Sequence, residues 1–348
     1  LNALDAAEKG AKVLTRTACT SARREGGLWR VEMTDTRSGT RRTVMARALV
    51  NAGGPWVNDI IGRVTGTNSS RNVRLVKGSH IIVPKFWDGS QAYLIQNHDK
   101  RVIFINPYEG DKALIGTTDI PYEGAAEKVT ADEAEIDYLI TAVNRYFTQG
   151  LRRADVLQSF SGVRPLYDDG AGNPSAVTRD YVFDLDTTGG APILNIFGGK
   201  ITTFRKLAEH AIQRLQPLFP GMKGDWTAQG TLPGGDLPGG DVAAFLGDLA
   251  TAYPWLPRDL ARHYTRLYGT RTRDLIGARQ SLAEMGRRFG PMLYEAEVRH
   301  LVAREWAESA EDILWRRTKH RLHMTPAEQE AFAEWFETSN IVSLAKSA

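Results

Sequence analysis

The spacing of apolar residues changes character once along this chain, and that change restricts it to two architectures joined in series. Up to about residue 225, short apolar runs are broken by glycine turns and separated by a few amphipathic stretches, the pattern of a mixed α/β part. The stretch 226–240 is rich in proline and glycine and holds Leu232-Pro233-Gly234-Gly235 and its echo Leu237-Pro238-Gly239-Gly240; it reads as a linker. From 241 to 348 the periodicity is helical. The expected division is therefore 1–225, a linker at 226–240, and an all-helical domain at 241–348.

Within the first part, Leu1, Leu4 and Ala7 share one helical face that stops at Gly10. A short strand is expected at Val13-Leu14, then an antiparallel ribbon from Leu28–Met33 through a turn near Ser38-Gly39 to Arg42–Met45. Ala46–Val50 reads as a buried strand entering the turn Asn51-Ala52-Gly53-Gly54-Pro55-Trp56, with a helix carrying Val57, Ile60 and Ile61 behind it. Ser79–Val83, Ala92–Ile95, Val102–Ile105 and Ala113–Ile115 read as one sheet. Thr130 and Glu133 have the spacing of a capping box ahead of Ile136, Leu139, Ile140 and Val143. Strands are expected again near Val156–Phe160, Tyr181–Leu185 and Ile193–Phe197, the last running into Gly198-Gly199 and an amphipathic helix. Thr325-Pro326-Ala327-Glu328 carries cap, N1 proline and N3 glutamate for a final helix.

Bulk properties narrow the function. Lysine and arginine number 44 against 41 acidic residues, and the excess of +3 is spread thinly along the chain. A nucleic-acid binder concentrates a larger one. One cysteine, Cys19, excludes an intrachain disulfide or a thiolate cluster and points to a reducing compartment. No apolar run has the ~20 residues of a membrane span. His320 and His323 lie one helical turn apart, but the sequence offers no carboxylate or cysteine to complete a metal site around them, and none is expected.

Four segments could carry chemistry. Gly198-Gly199-Lys200-Ile201-Thr202-Thr203 lies between a strand and a helix, where glycines admit a flat or anionic ligand to the backbone and the helix start offers N–H donors. Arg164, in Ser161-Gly162-Val163-Arg164-Pro165, and Arg179, in Thr178-Arg179-Asp180, could bring guanidinium forks to an oxyanion. His80 opens an apolar strand, and Thr117 sits in a polar turn, Gly116-Thr117-Thr118-Asp119, after another. Taken singly, each has a plainer reading as a tight turn, a surface ion pair, a structural histidine or a β-turn.

Taken in order, the segments resemble the FAD-dependent glycerol-3-phosphate dehydrogenases of the flavoprotein superfamily typified by D-amino-acid oxidase. The stretches are ALVNAGGPWVNDII, VRLVKGSHIIVP, IGTTDIPYEG, FSGVRPLYDD, AVTRDY and NIFGGKITTFRKLAEHA, with LPGG, LARHYTRLYG and DILWRRTK in the helical part. The resemblance implies a partial FAD-binding Rossmann-like domain with an antiparallel substrate-domain sheet, and a helical C-terminal cap domain. It implies that Gly198, Gly199, Lys200 and Thr202 meet the isoalloxazine, that Asn51, Ala52, Gly53 and Trp56 form a second dinucleotide contact, and that Arg164, Arg179, Lys200, Thr117 and His80 line the substrate pocket. Lys200 and His80 both remain candidates for the base.

The implied reaction oxidises sn-glycerol 3-phosphate to dihydroxyacetone phosphate through FAD. Electrons would pass to a quinone, from a protein held peripherally on the inner face of the cytoplasmic membrane. Oxygen as acceptor, or a non-catalytic interaction module, are the alternatives. The family's glycine-rich ADP-binding turn is missing, and Leu1-Asn2-Ala3-Leu4 reads as mid-helix. The chain is therefore expected to begin inside a larger protein, to hold FAD weakly and be inactive alone, and to present a sheet edge able to pair with a second copy.

Overall fold

The computed structural model describes residues 1–168 and 180–343. The chain forms two compact units, Arg16–Asp225 and a second made of Leu1–Thr15 with Trp226–Ala348. The first fifteen residues and the stretch 226–240, expected with the α/β part and as a linker, thus go with the helices. Side-chain and backbone ties account for it. Helix α1 (Asn2–Glu8) presents Glu8 to Arg271 at 2.8 Å, and the Lys9 ammonium lies over the Trp226 ring. The Gly234 carbonyl accepts from Thr270 N, while Asp236 accepts from the Thr270 hydroxyl.

Among the described residues the larger unit contains three sheets. Strands β1 (Thr17–Glu25), β2 (Leu28–Asp35) and β3 (Arg41–Ala46) form an antiparallel ribbon. Its first strand begins beyond the expected Val13-Leu14, which lies outside any element. The ribbon buries Ala22, Trp29 and Val31. The Trp29 indole donates to the Pro192 carbonyl, and Arg24 covers the ring while pairing with Asp186.

The central sheet runs β10-β5-β8-β7-β6, all antiparallel. It is built from β5 (Val73–Pro84), β6 (Tyr93–Gln96), β7 (Val102–Tyr108), β8 (Lys112–Gly116) and β10 (Gln158–Tyr167), with the two-residue β9 (Ile120–Pro121) beside β5. Strand alternation sends Ile81, Val83, Ile103, Ile105 and Ile115 to one face. There they pack on Ile136, Leu139, Ile140 and Val143 of α3 (Glu133–Asn144). The capping box of α3 is Asp132 with Glu135, two residues later than the expected Thr130–Glu133 pair, because Asp132 is the extended residue whose carboxylate receives Glu135 N.

The third sheet is β11-β12-β4, from β4 (Leu49–Asn51), β11 (Tyr181–Asp186) and β12 (Ile193–Gly198). Here β4 and β12 are parallel, with Asn51 beside Asn195. Each leads at its carboxyl end into a glycine turn and a helical run: Gly54–Trp56 with the short α2 (Val57–Asp59) after β4, and Ile201–Thr203 with α4 (Phe204–Leu215) after β12. Ala211 and Leu215 of α4 pack on Leu194 and Ile196.

The smaller unit gathers α5 (Val242–Ala252), α6 (Arg258–Tyr268), α7 (Thr272–Ile276), α8 (Glu295–Glu305) and α9 (Pro326–Thr338) around one core that includes Leu249, Tyr264, Ile276, Leu301 and Phe332. Thr325 and Glu328 form the capping box of α9.

Candidate active site

The face of the central sheet opposite α3 is cleared by glycines. Register places Gly78 against Gly162, His80 against Phe160 and against Gly116, and Val76 against Arg164. A β-carbon on Gly78 would stand 2.4 Å from Nη2 and 2.5 Å from Nη1 of Arg164, and one on Gly116 would press into the His80 ring. Missing side chains thus let a guanidinium and an imidazole lie flat on the sheet. Arg164 donates through Nη1 to Asp119 Oδ1 at 2.9 Å and to the Thr118 carbonyl at 3.3 Å, and through Nη2 to Thr117 Oγ1 at 2.9 Å. His80 stacks on Phe160 with centroids 5.2 Å apart and planes 6° from parallel. Burial, reinforced by the Arg164 charge, holds the imidazole pKa below its usual value, which favours the neutral ring.

The other face of the same strands is fixed by a buried carboxylate. Glu135 Oε1 accepts from the Ser79 hydroxyl at 2.7 Å and the Thr118 hydroxyl at 2.6 Å, and Oε2 pairs with Lys77 at 2.7 Å. Ser161 lies 2.6 Å from the Ser79 hydroxyl, and Lys77 also reaches Asp132. Burial opposes the charge on Glu135, yet hydrogen bonds from Lys77, Thr118 and Ser79 hold its pKa below the usual carboxylate range. Thr118 therefore joins the two faces: its hydroxyl is anchored to Glu135 and its carbonyl receives Arg164.

Strand β10 carries this arrangement to the two glycine turns. Beyond Arg164, Pro165 lies beside Gly54, and the backbone of Tyr167 closes on Gly198. Gly198 and Gly199 take φ of +72° and +103°; a β-carbon would meet the Asp180 carbonyl at 2.9 Å in the first case and Leu207 at 3.0 Å in the second. Only glycine follows that path without strain. The helical run behind it starts without a side-chain cap, and Ile201, Phe204 and, across at the β4 turn, Trp56 expose apolar surface. Uncapped helix donors, apolar surface and the carboxyl ends of two parallel strands suit a flat heterocycle with an anionic edge. The residues present fit the isoalloxazine end of a flavin.

The predicted residues divide accordingly. Arg164, Thr117 and His80 share one face. Gly198, Gly199, Lys200 and Thr202 form the β12 turn, with Lys200 and Thr202 exposed. Among the described residues no hydrogen bond or ion pair joins Lys200 to Arg164 or His80. Asn51 is buried, donating to the Val57 carbonyl and to Asn195 Oδ1 and accepting from Gly53 N, so it shapes its turn from within; Ala52 and Trp56 are exposed there. Arg179 lies outside the described residues. His80 stands in the middle of β5 and not at its start, since the strand begins at Val73. The sequence reading gave Asp119, Phe160 and Glu135 no role in the site, although Asp119 ends the polar turn that holds Thr117. Phe160, Gly162 and Arg164, two apart along β10, were the available signal for a shared face.

His320 also finds partners that the sequence does not announce. Glu297, fully buried on α8, lies 3.0 Å from His320 Nε2 through Oε2 and 3.2 Å from His263 Nε2 through Oε1, and it accepts from the Tyr268 hydroxyl at 2.7 Å.

Residues 1–205 match the family described as FAD dependent oxidoreductase, and residues 226–338 match the C-terminal domain of alpha-glycerophosphate oxidase. The chain is 66% identical over 343 residues to D-erythritol 1-phosphate dehydrogenase of Brucella abortus, covering 99% of itself and 68% of that protein. It is 44% identical over 335 residues to aerobic glycerol-3-phosphate dehydrogenase of Escherichia coli, covering 96% and 67%. It spans about two thirds of the length of these curated relatives. The glycerol-3-phosphate dehydrogenase of Bacillus halodurans, solved with FAD, superposes with a TM-score of 0.74 at 24% identity, over 97% of this chain and 71% of that one, which establishes the shared fold. The chain belongs to the FAD-dependent oxidoreductases, in the group that holds the glycerol-3-phosphate and D-erythritol 1-phosphate dehydrogenases, and its cofactor is FAD.

Proposed function

We propose that the protein oxidises a secondary hydroxyl of a short polyol phosphate and delivers the electrons through FAD to a quinone. The observation that carries this reading is the pairing, on one glycine-cleared face, of a permanently charged fork with an imidazole kept neutral. FAD, when bound, supplies the two-electron acceptor for the hydrogen leaving the carbinol carbon. Arg164 stabilises the oxygen on which negative charge develops, since a guanidinium donates without changing protonation state. His80 accepts the hydroxyl proton. Thr117 and Asp119 fix the orientation of Arg164, Lys200 balances charge at the flavin turn, and Arg179 grips the phosphate.

Two substrates share this chemistry. The sequence reading is sn-glycerol 3-phosphate, giving dihydroxyacetone phosphate, and it is supported by the Escherichia coli relative and by a Pseudomonas aeruginosa relative 46% identical to this chain. D-erythritol 1-phosphate is supported by the 66% relative, and that margin favours the four-carbon substrate. Comparing kcat/KM for the two phosphates by dye reduction, in a protein that joins this chain to the family's ADP-binding segment and with peroxide measured in parallel, tests substrate and acceptor together. Reduction of dye by neither phosphate refutes the reading, and peroxide in proportion to turnover transfers it to an oxidase. Among the described residues no helix is long and apolar enough to cross a membrane. Access to a membrane quinone is accordingly proposed through peripheral attachment at the cytoplasmic face.

A further inference from the structure

We propose that the helical unit binds one divalent ion of the zinc class between His263, Glu297 and His320. The three come from separate elements: His263 from α6, Glu297 from α8, and His320 from the 3₁₀ turn His320–His323. Their donor atoms all lie within 4.8 Å of one another. Each imidazole Nε2 lies against a different oxygen of one carboxylate, so two nitrogens and two carboxylate oxygens are gathered in one buried cluster. Zinc bonds imidazole nitrogen at about 2.0–2.1 Å and carboxylate oxygen at about 2.0–2.2 Å, which separates neighbouring donors by roughly 3 Å. The nitrogen–oxygen separations here are 3.0 and 3.2 Å.

The surroundings suit an ion held for structure. Glu297 and His320 are sealed from solvent, and His263 keeps 14% of its side-chain surface exposed, which gives the ion a way in. The Tyr268 hydroxyl on Oε1 is an outer partner of the kind that orients a ligating carboxylate. A buried carboxylate needs a positive partner, and an entering cation supplies one while tying α6, α8 and the His320 turn to one centre. Mixed imidazole and carboxylate donors favour zinc or a neighbouring transition ion over magnesium or calcium. The site is independent of the flavin reading, because all its residues lie in the other unit.

The test uses the intact chain stripped with chelator and titrated with Zn2+ and, separately, Co2+. The expected result is one equivalent bound, a raised melting temperature, and visible d–d absorption from low-coordinate cobalt with nitrogen and oxygen donors. His263→Gln, at the least buried ligand, and His320→Gln should each weaken binding at least tenfold and abolish the cobalt band. No binding by the wild-type chain, or no cobalt band, overturns the proposal even if neither variant folds. Unchanged affinity in both variants overturns it as well, since the ion would then sit elsewhere.

Discussion

The Arg164 guanidinium rests on Gly78, so close that a single methyl there would come within 2.4 Å of Nη2. The fork's position over the sheet therefore depends on an atom that is missing. Gly78→Ala should lift Arg164 away from Thr117 and Asp119 while leaving the strand paired. The expected loss in kcat of the flavin-loaded enzyme is about 10²- to 10³-fold, the usual cost of one oriented donor. Near-wild-type kcat would show that the fork does not act from this position.

His80 should titrate below the ordinary imidazole range, since burial and the Arg164 charge both disfavour its cation. The native state then binds fewer protons than the unfolded chain across that window. This contribution to stability is complete above about pH 6.5 and is lost as pH falls through the native value. An NMR titration of the His80 ring should give a depressed pKa that moves upward in Arg164→Met. An unperturbed value in the wild-type protein contradicts the arrangement.

Glu135 should matter to folding and to the site by separable amounts. Glu135→Ala leaves Lys77 with Asp132 and the Thr130 carbonyl as partners, and losing its buried counter-charge should cost up to about 3–5 kcal/mol in chemical denaturation. Glu135→Gln keeps the shape and can still accept from Thr118, so its kcat should fall less than its stability. Because the native pKa is depressed, the carboxylate's contribution is present at neutral pH and disappears as pH drops through that lowered value. A denaturation midpoint in Glu135→Ala equal to wild type would remove Glu135 from the account.

Gly198→Ala and Gly199→Ala place a β-carbon on backbone of positive φ and against protein atoms. Flavin affinity should fall at least tenfold in each, measured by fluorescence titration, with the unfolding midpoint shifted much less. Equal flavin affinity in both variants would detach this turn from the cofactor.

The sequence made local features legible and left distant ones hidden. The strands at Ser79–Val83 and Ile193–Phe197 and the Thr325 cap are readable because period and capping chemistry are local. His80 was misplaced to a strand start because Val73–Gly78 mixes charge and glycine among its apolar residues, and that masks the strand. The resemblance gives Asn51 as a dinucleotide contact, but its burial was hidden in the sequence, because it depends on Asn195 and Val57 closing around it. Glu297 lies 34 residues from His263 and 23 from His320, so no spacing rule could join them. His323, which lies one helical turn from His320 in the sequence, is absent from that cluster.

The central claim, that Arg164 acts on substrate at the flavin and does not merely hold the fold, is tested most directly by the reductive half-reaction. Wild-type chain and Arg164→Ala, each joined to the family's ADP-binding segment and loaded with flavin, are mixed anaerobically with D-erythritol 1-phosphate or sn-glycerol 3-phosphate, and the bleaching of flavin absorbance is followed by stopped flow. The account predicts rapid bleaching of the wild type by at least one of the two, and bleaching of Arg164→Ala slowed about 10²- to 10³-fold at saturating substrate with flavin content unchanged. Bleaching of Arg164→Ala at the wild-type rate, with only the substrate concentration dependence altered, would contradict it.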